Sequence, residues 1–345
     1  MTNAVIIAQQ GSNNTTFRNR IINGAMVIDQ RNAGASVTPT TGQYLVDRWA
    51  AGLTAASKFT VQQNASSVTL PAGFINYLGA TSSSAYTPLA ASDSFYIRQP
   101  IEGLNIYDLA WGTASAATVT LSFWVRSSLT GTFGGSLTNS AANRSYPFSY
   151  TISSANTWEQ KSITIAGDTS GTWLTTNGVG IYVHFSLGTG TTYSGTAGAW
   201  AGTTYISATG ATSVVGTNGA TFYITGVQLE AGSTASPFEN RSYGVELALC
   251  QRYYSVINSN YSLGYTAGNT VTQGGGMYNL KVSMRIAPSI DSAKPGAYTV
   301  SGGSAGTVGL QYSTTESVNL QNASTNWTST NTVYLSSNLG LTSEL

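Results

Sequence analysis

The side chains that could make or break bonds are few. One histidine, His184, lies in IYVHF, and one cysteine, Cys250, lies in ELALCQRYY. A lone imidazole cannot supply a multi-histidine metal site, and a lone thiol forms neither an intrachain disulfide nor a cysteine-based zinc site. His184 is therefore expected to be a satisfied strand residue and Cys250 a small buried hydrophobe. Glycoside hydrolysis needs two carboxylates about 5–10 Å apart. Asp29, Asp47, Asp93, Glu102, Asp108 and Asp168 are available. Nothing in their spacing brings two together, and Asp168 in AGDTSG suits a turn. P-loop, dinucleotide and HExxH motifs are all absent. The expectation is a protein that is not an enzyme.

Rings and hydroxyls are plentiful: 20 Tyr, 10 Phe and 7 Trp stand among many Ser, Thr, Gly and Asn. Aromatic faces stack on the C–H faces of sugars, while amides and hydroxyls hydrogen-bond the sugar hydroxyls. The glycan-binding candidates are Tyr193, Trp200 and Tyr205, on the Gly- and Ser-rich stretch 187–220, and Trp173 beside a turn. A loop that long inside a folded domain usually has a function or covers something. Trp124 and Tyr182 occupy the strand face opposite the aliphatic residues, where a sheet presents a platform. Trp49 and Trp111 are expected to pack the core.

The elements that must position these rings are strands. Val119, Leu121, Phe123 and Val125 alternate with Thr, Ser, Trp and Arg; Ile181, Val183 and Phe185 alternate with Tyr182, His184 and Ser186. Further runs (KFTVQQ, FINYLGA, SFYIRQPI, YPFSYTI, WEQKSITIA, TFYITGVQL) recur between turn signals, which predicts an all-β sandwich or jelly roll over 19–240. Gly226 predicts a kink or bulge in the last of them. Tyr243, Leu247, Cys250 and Tyr254 are spaced for one face of a short linking helix over 241–254, with Ser242 as its N-cap. A smaller antiparallel β-domain follows over 255–345. Residues 1–18 read as an extended arm, either a disordered tail or a segment that docks on a neighbouring subunit. Arg48, between Asp47 and Trp49, suits a part-buried ion pair with stacking.

Only 8% of residues are charged and the formal net charge is +1. Duplex-binding proteins carry a larger positive field, so nucleic acid is not an expected partner. No stretch has the length or apolar character of a signal peptide or a membrane span, so assembly in a cytoplasm without membrane insertion is expected. A surface this poor in charge favours association, so neighbouring subunits should cover much of it.

Three stretches carry a resemblance. NRIINGAMVIDQRN (19–32), with Asp47-Arg48-Trp49, resembles the opening of virion proteins of tailed bacteriophages. ITGVQLEAGSTASPFENRSYGVELALCQRYY (224–254) is similar to the joint between a carbohydrate-binding-module-like sandwich and a C-terminal β-domain in those proteins. MRIAPSI (284–290) and the closing Ser343-Glu344-Leu345 resemble recurring pieces of that second domain. The resemblance implies a tail fibre or fibre tip in the virion tail, homo-oligomeric and often trimeric. It would attach to other tail proteins and contact host-surface polysaccharide. It implies no catalytic residue. It leaves open a structural calcium near Glu230 and Asp29, with no motif that assigns ligands. The alternatives are a capsid or baseplate decoration protein without receptor binding, and a depolymerase tailspike.

Overall fold

The computed structural model describes residues 17–265, 273–300, 305–323 and 332–345. The expected arm, apart from its last two residues, lies outside them. The chain divides into two units: one holds 1–27, 36–43 and 49–240, and the other 28–35, 44–48 and 241–345.

In the first unit the strands are β1 (Ala50–Leu53), β2 (Phe59–Gln63), β3 (Leu78–Ser82), β4 (Ser94–Glu102), β5 (Val119–Ser127), β6 (Gly131–Thr138), β7 (Ser145–Ile152), β8 (Glu159–Ile165), β9 (Val179–Thr189), β10 (Ser194–Gly195), β11 (Ser207–Ala208) and β12 (Thr221–Ala231). Two five-stranded sheets form, in the orders β1-β4-β9-β6-β7 and β2-β3-β12-β5-β8. All their pairings are antiparallel. Alternation dictates the layering. Ile97, Val183, Phe185, Phe133 and Leu137 from one sheet, and Leu121, Phe123, Val125, Phe222 and Ile224 from the other, are fully buried. Phe123 meets Phe185 edge to face at 5.0 Å, and Phe133 stacks near Phe222 at 6.2 Å. Such pairs add about 0.5–1.5 kcal/mol each to area burial.

Two strands escape the alternation argument. The sequence of β6, GTFGGSLT, has poor β-propensity, yet it lies between β9 and β7. A Cβ at Gly135 would stand 2.3 Å from the carbonyl oxygen of His184, so only glycine lets these strands pack at that point. The four-residue β1, AAGL, is the other. In β12 the register with β5 shifts between Thr225 and Gln228, and Gly226 has φ +61°, which is the expected bulge.

NRIING clips onto this sandwich by hydrogen bonds rather than as a strand. The Asn19 side chain donates to the Val227 carbonyl (3.0 Å) and accepts from the Leu229 amide (3.0 Å). Buried Gln99 satisfies both backbone groups of Ile22. The Trp49 indole N–H donates to the Asn23 carbonyl at 3.1 Å.

The second unit contains β13 (Tyr254–Ile257), β14 (Ser262–Tyr265), β15 (Gln273–Asn279), β16 (Ser289–Pro295), β17 (Ala297–Val300), β18 (Ala305–Thr307), β19 (Gly309–Ser313), β20 (Ser317–Ala323), β21 (Thr332–Leu335) and β22 (Leu339–Thr342). They form three small sheets, β13-β22-β16, β14-β21-β17-β18 and β15-β20-β19. Tyr298, Val318, Leu320, Leu335, Leu339 and Leu341 are among the residues of its core. Helix α1 (Tyr243–Gln251) opens the contiguous part of this unit. Its packing differs from the spacing-based expectation. Tyr243 is 64% exposed and Tyr254 belongs to β13, whereas Glu246 and Cys250 are buried. Glu246 turns inward because Arg241 meets its carboxylate at 3.5 Å. Ser242 holds the N-cap position but makes no side-chain capping bond.

Segments 28–35 and 44–48, which the sequence assigns to the sandwich, belong here instead. The reason is a buried charge cluster. Arg48, 1% exposed, pairs with Glu344, and its guanidinium lies 3.5 Å from the Tyr253 ring centroid. Arg31 reaches the same carboxylate at 2.8 Å and stacks 3.6 Å from the Tyr254 centroid. Sequence adjacency suggested Asp47 and Trp49 as the partners of Arg48. The backbone turns through φ +72° at Arg48, and its partners come from elsewhere.

Asp47 is fully buried and accepts the Gln30 backbone and side-chain N–H groups, both at 2.7 Å. Burial raises its carboxyl pKa to about 6, against the opposing pull of Arg31 and these hydrogen bonds. The folded value lies above the unfolded value of 3.8, so the folded unit binds the proton more tightly. Its contribution is complete below the unfolded value and is lost as pH rises through about 6. We expect the urea midpoint of the second unit to fall between roughly pH 4 and 7, by the equivalent of about 3 kcal/mol. That component should vanish in Asp47→Asn.

Candidate functional site

The outward face of the β1-β4-β9-β6-β7 sheet collects the aromatic and cationic side chains that strand alternation turns away from the core. Register places Arg98 opposite His184, Pro100 opposite Tyr182 and Tyr96 opposite Ser186. On the other side of β9, Ser136 pairs with His184 and Thr138 with Tyr182. Tyr96 meets His184 edge to face at 5.0 Å, and Tyr182 lies 5.8 Å from the same imidazole. The Arg98 guanidinium stands over both phenols, 4.4 Å from the Tyr182 centroid and 5.8 Å from that of Tyr96. Tyr96, Arg98 and Tyr182 are half-buried.

Tyr96 owes its position to Gly52. The two pair across β1 and β4, and a Cβ at Gly52 would fall 2.0 Å from the ring's Cζ. The phenol therefore lies across the bare backbone of β1.

Burial and the Arg98 charge set the protonation of Tyr96 and His184 on this face. Burial and the neighbouring Arg98 hold the His184 pKa well below the ordinary histidine value, so the imidazole is neutral. Its Nε2 lies 3.0 Å from Thr138 Oγ1. Burial raises the Tyr96 phenol, with Arg98 pulling the other way and Tyr182 and Tyr193 adding to the rise. Tyr96 is thus a neutral phenol beside the Arg98 guanidinium.

The four sequence candidates divide between places. Tyr193 lies in a short turn of 3-10 helix (Thr191–Tyr193), and its charge would be felt at the Tyr96 phenol. Tyr205 lays its ring against Gly195, where a Cβ would be 2.2 Å from Cδ2. Trp173 and Trp200 form a separate cluster with Trp111 and Tyr146, all edge to face at 4.8–5.4 Å. Trp173 is 6% exposed and its indole N–H is directed at Asp168 and Ser170, so it is a packing residue and offers no ring face to a sugar. Trp200 is half-buried and donates its N–H to the Ala166 carbonyl. Asp168, expected as a turn residue, is also the bidentate partner of Arg144 (2.7 and 2.6 Å).

Tyr96 and Arg98 were missed as site residues. The signal was present in SFYIRQPI, where both alternate with the core residues Phe95, Ile97 and Gln99. Tyr182 was legible as a platform residue by the same period.

The two carboxylates considered for calcium are committed elsewhere. Glu230 accepts from Ser236 and Gln228 and is met by Arg18 at 3.5 Å. Asp29 accepts the amides of Asn32 and Gly34. Glu230 thus has a counter-charge in Arg18, and the Asp29 carboxylate closes the local 29–34 turn. Among the described residues no group of three or more His, Cys, Asp or Glu side chains is placed to hold a metal.

No family model matches the chain, and no curated protein matches it. Solved structures do. A tailspike protein 4 enzymatically active domain of bacteriophage CBA120 aligns at 12% identity with a TM-score of 0.35, over 63% of this chain; the match spans 22% of that protein's length. A putative sugar-binding protein from Bacteroides thetaiotaomicron aligns at 12% identity and TM-score 0.33, over 62% of this chain and 100% of its own. A family 11 carbohydrate-binding module of a Clostridium thermocellum cellulosomal cellulase aligns at 11% identity and TM-score 0.28, over 57% and 99%.

Proposed function

We propose that the protein is a glycan-binding structural component of a phage virion, a homo-oligomeric tail fibre or fibre tip that grips host-surface polysaccharide without cleaving it. The observation that carries the binding reading is the outward row of Tyr96, Arg98 and Tyr182. It offers ring surface for sugar C–H groups and donors for their oxygens, held in place by packing and by the Gly52 seat. Around this row stand phenols and a neutral imidazole, groups suited to holding a sugar and not to protonating and attacking it. The virion reading rests on the resemblance. It is supported by the meeting of two resembling pieces, Asp47-Arg48 and Ser343-Glu344, in one buried cluster. A single such site binds weakly, and several copies on one particle multiply it through effective concentration.

The test is adsorption competition. Purified protein should reduce virion adsorption to host cells, and Tyr182→Ala should weaken polysaccharide binding on the order of 10-fold at unchanged oligomeric size. Competition that is absent at every concentration would favour the decoration alternative. Release of reducing ends would favour the depolymerase.

A further inference from the structure

Arginines in this protein are mostly spoken for. Arg18, Arg20, Arg31, Arg48, Arg144 and Arg241 each meet a carboxylate. Arg98 meets none among the described residues, and its Nε, like that of five of those six, is buried with no hydrogen-bond partner. Directly across the sheet, the Nδ1 of His184, a residue only 3% exposed, is likewise buried and unpartnered. What surrounds Arg98 is Tyr182 and Tyr96, which pack against its guanidinium, together with Ala50 on β1 and His184 on β9.

This arrangement is chemically one-sided. The Tyr182 ring packs on the guanidinium at 4.4 Å and Tyr96 lies farther off at 5.8 Å, which leaves a half-buried cation without an anion. Neutral sugar hydroxyls both donate and accept and do not answer a full charge. A planar carboxylate accepts from the guanidinium fork in two parallel bonds and supplies the missing charge. Resting on the reading that this face holds glycan, we propose that its ligand class is acidic polysaccharide, whose sugars carry carboxylates. Arg98 pairs with the carboxylate while Tyr182 and Tyr96 pack against the sugar ring.

The experiment uses the intact protein on an array of polygalacturonate, hyaluronan and polysialic acid. Each is spotted beside its carboxyl-reduced derivative, and a phosphate-bearing teichoic acid completes the array. The expected result is binding to at least one carboxylated polymer that drops about 10-fold or more on carboxyl reduction. Arg98→Gln should bring the native polymer down to the reduced one's level. Arg98→Lys, which keeps charge but not the fork, should lie between, with thermal melts confirming that both variants fold. Equal binding of native and reduced polymers, no effect of Arg98→Gln, or a preference for the teichoic acid would each overturn the inference while leaving glycan binding intact. Binding to no polymer at all would overturn both.

Discussion

Arg48→Met is expected to destabilise the second unit by about 3–5 kcal/mol, because it leaves the Glu344 carboxylate in a buried setting with half its compensation gone. Arg31 remains at 2.8 Å, so the loss should stop short of unfolding. Glu344→Gln should cost at least as much, since it unpairs two arginines in one step. The double variant should cost clearly less than the sum, the signature of groups that share one interaction. Urea titration followed by amide hydrogen exchange in 241–257 reports this unit, whose cluster includes Tyr253 and Tyr254. Additive losses would mean that the charges act independently and that the cluster is not what holds 28–35 and 44–48 in place.

Gly52→Ala is the second large effect, and it falls on binding. The new methyl would land 2.0 Å from Cζ of Tyr96, the far end of a side chain that can swing away. The backbone of β1 need not move, so the melting temperature should change little. Tyr96 leaves its seat, however, and with it go the packing on His184 and one wall around Arg98. Polysaccharide affinity should fall on the order of 10-fold. Full affinity in a folded Gly52→Ala protein would show that the resting position of Tyr96 has no part in recognition.

Strands that alternate cleanly were legible in the sequence, and so was the two-sheet sandwich they build. Strand β6 was not, because its three glycines answer to neighbours that only the fold supplies, such as the His184 carbonyl beside Gly135. For the site, the period-two rule was enough to place Tyr182 outward and would have placed Tyr96 and Arg98 there as well. The loop tryptophans misled for a physical reason. A large ring beside glycines and serines looks available, but Trp173 finds Trp111, Trp200 and Asp168 within reach once the loops fold back. Helix α1 misled through its spacing, since an ion pair with Arg241 draws Glu246 inward and leaves Tyr243 outside.

The discontinuous make-up of the second unit has a consequence for the order of events at the ribosome. Arg48 and Glu344 are 296 positions apart. At about 5–20 residues per second, the guanidinium waits roughly 15–60 s after its own synthesis before its counter-charge emerges. The sandwich can close in the meantime, but this unit cannot, and a chain that stops short of Glu344 keeps an unmatched cation where a finished one has a sealed seam.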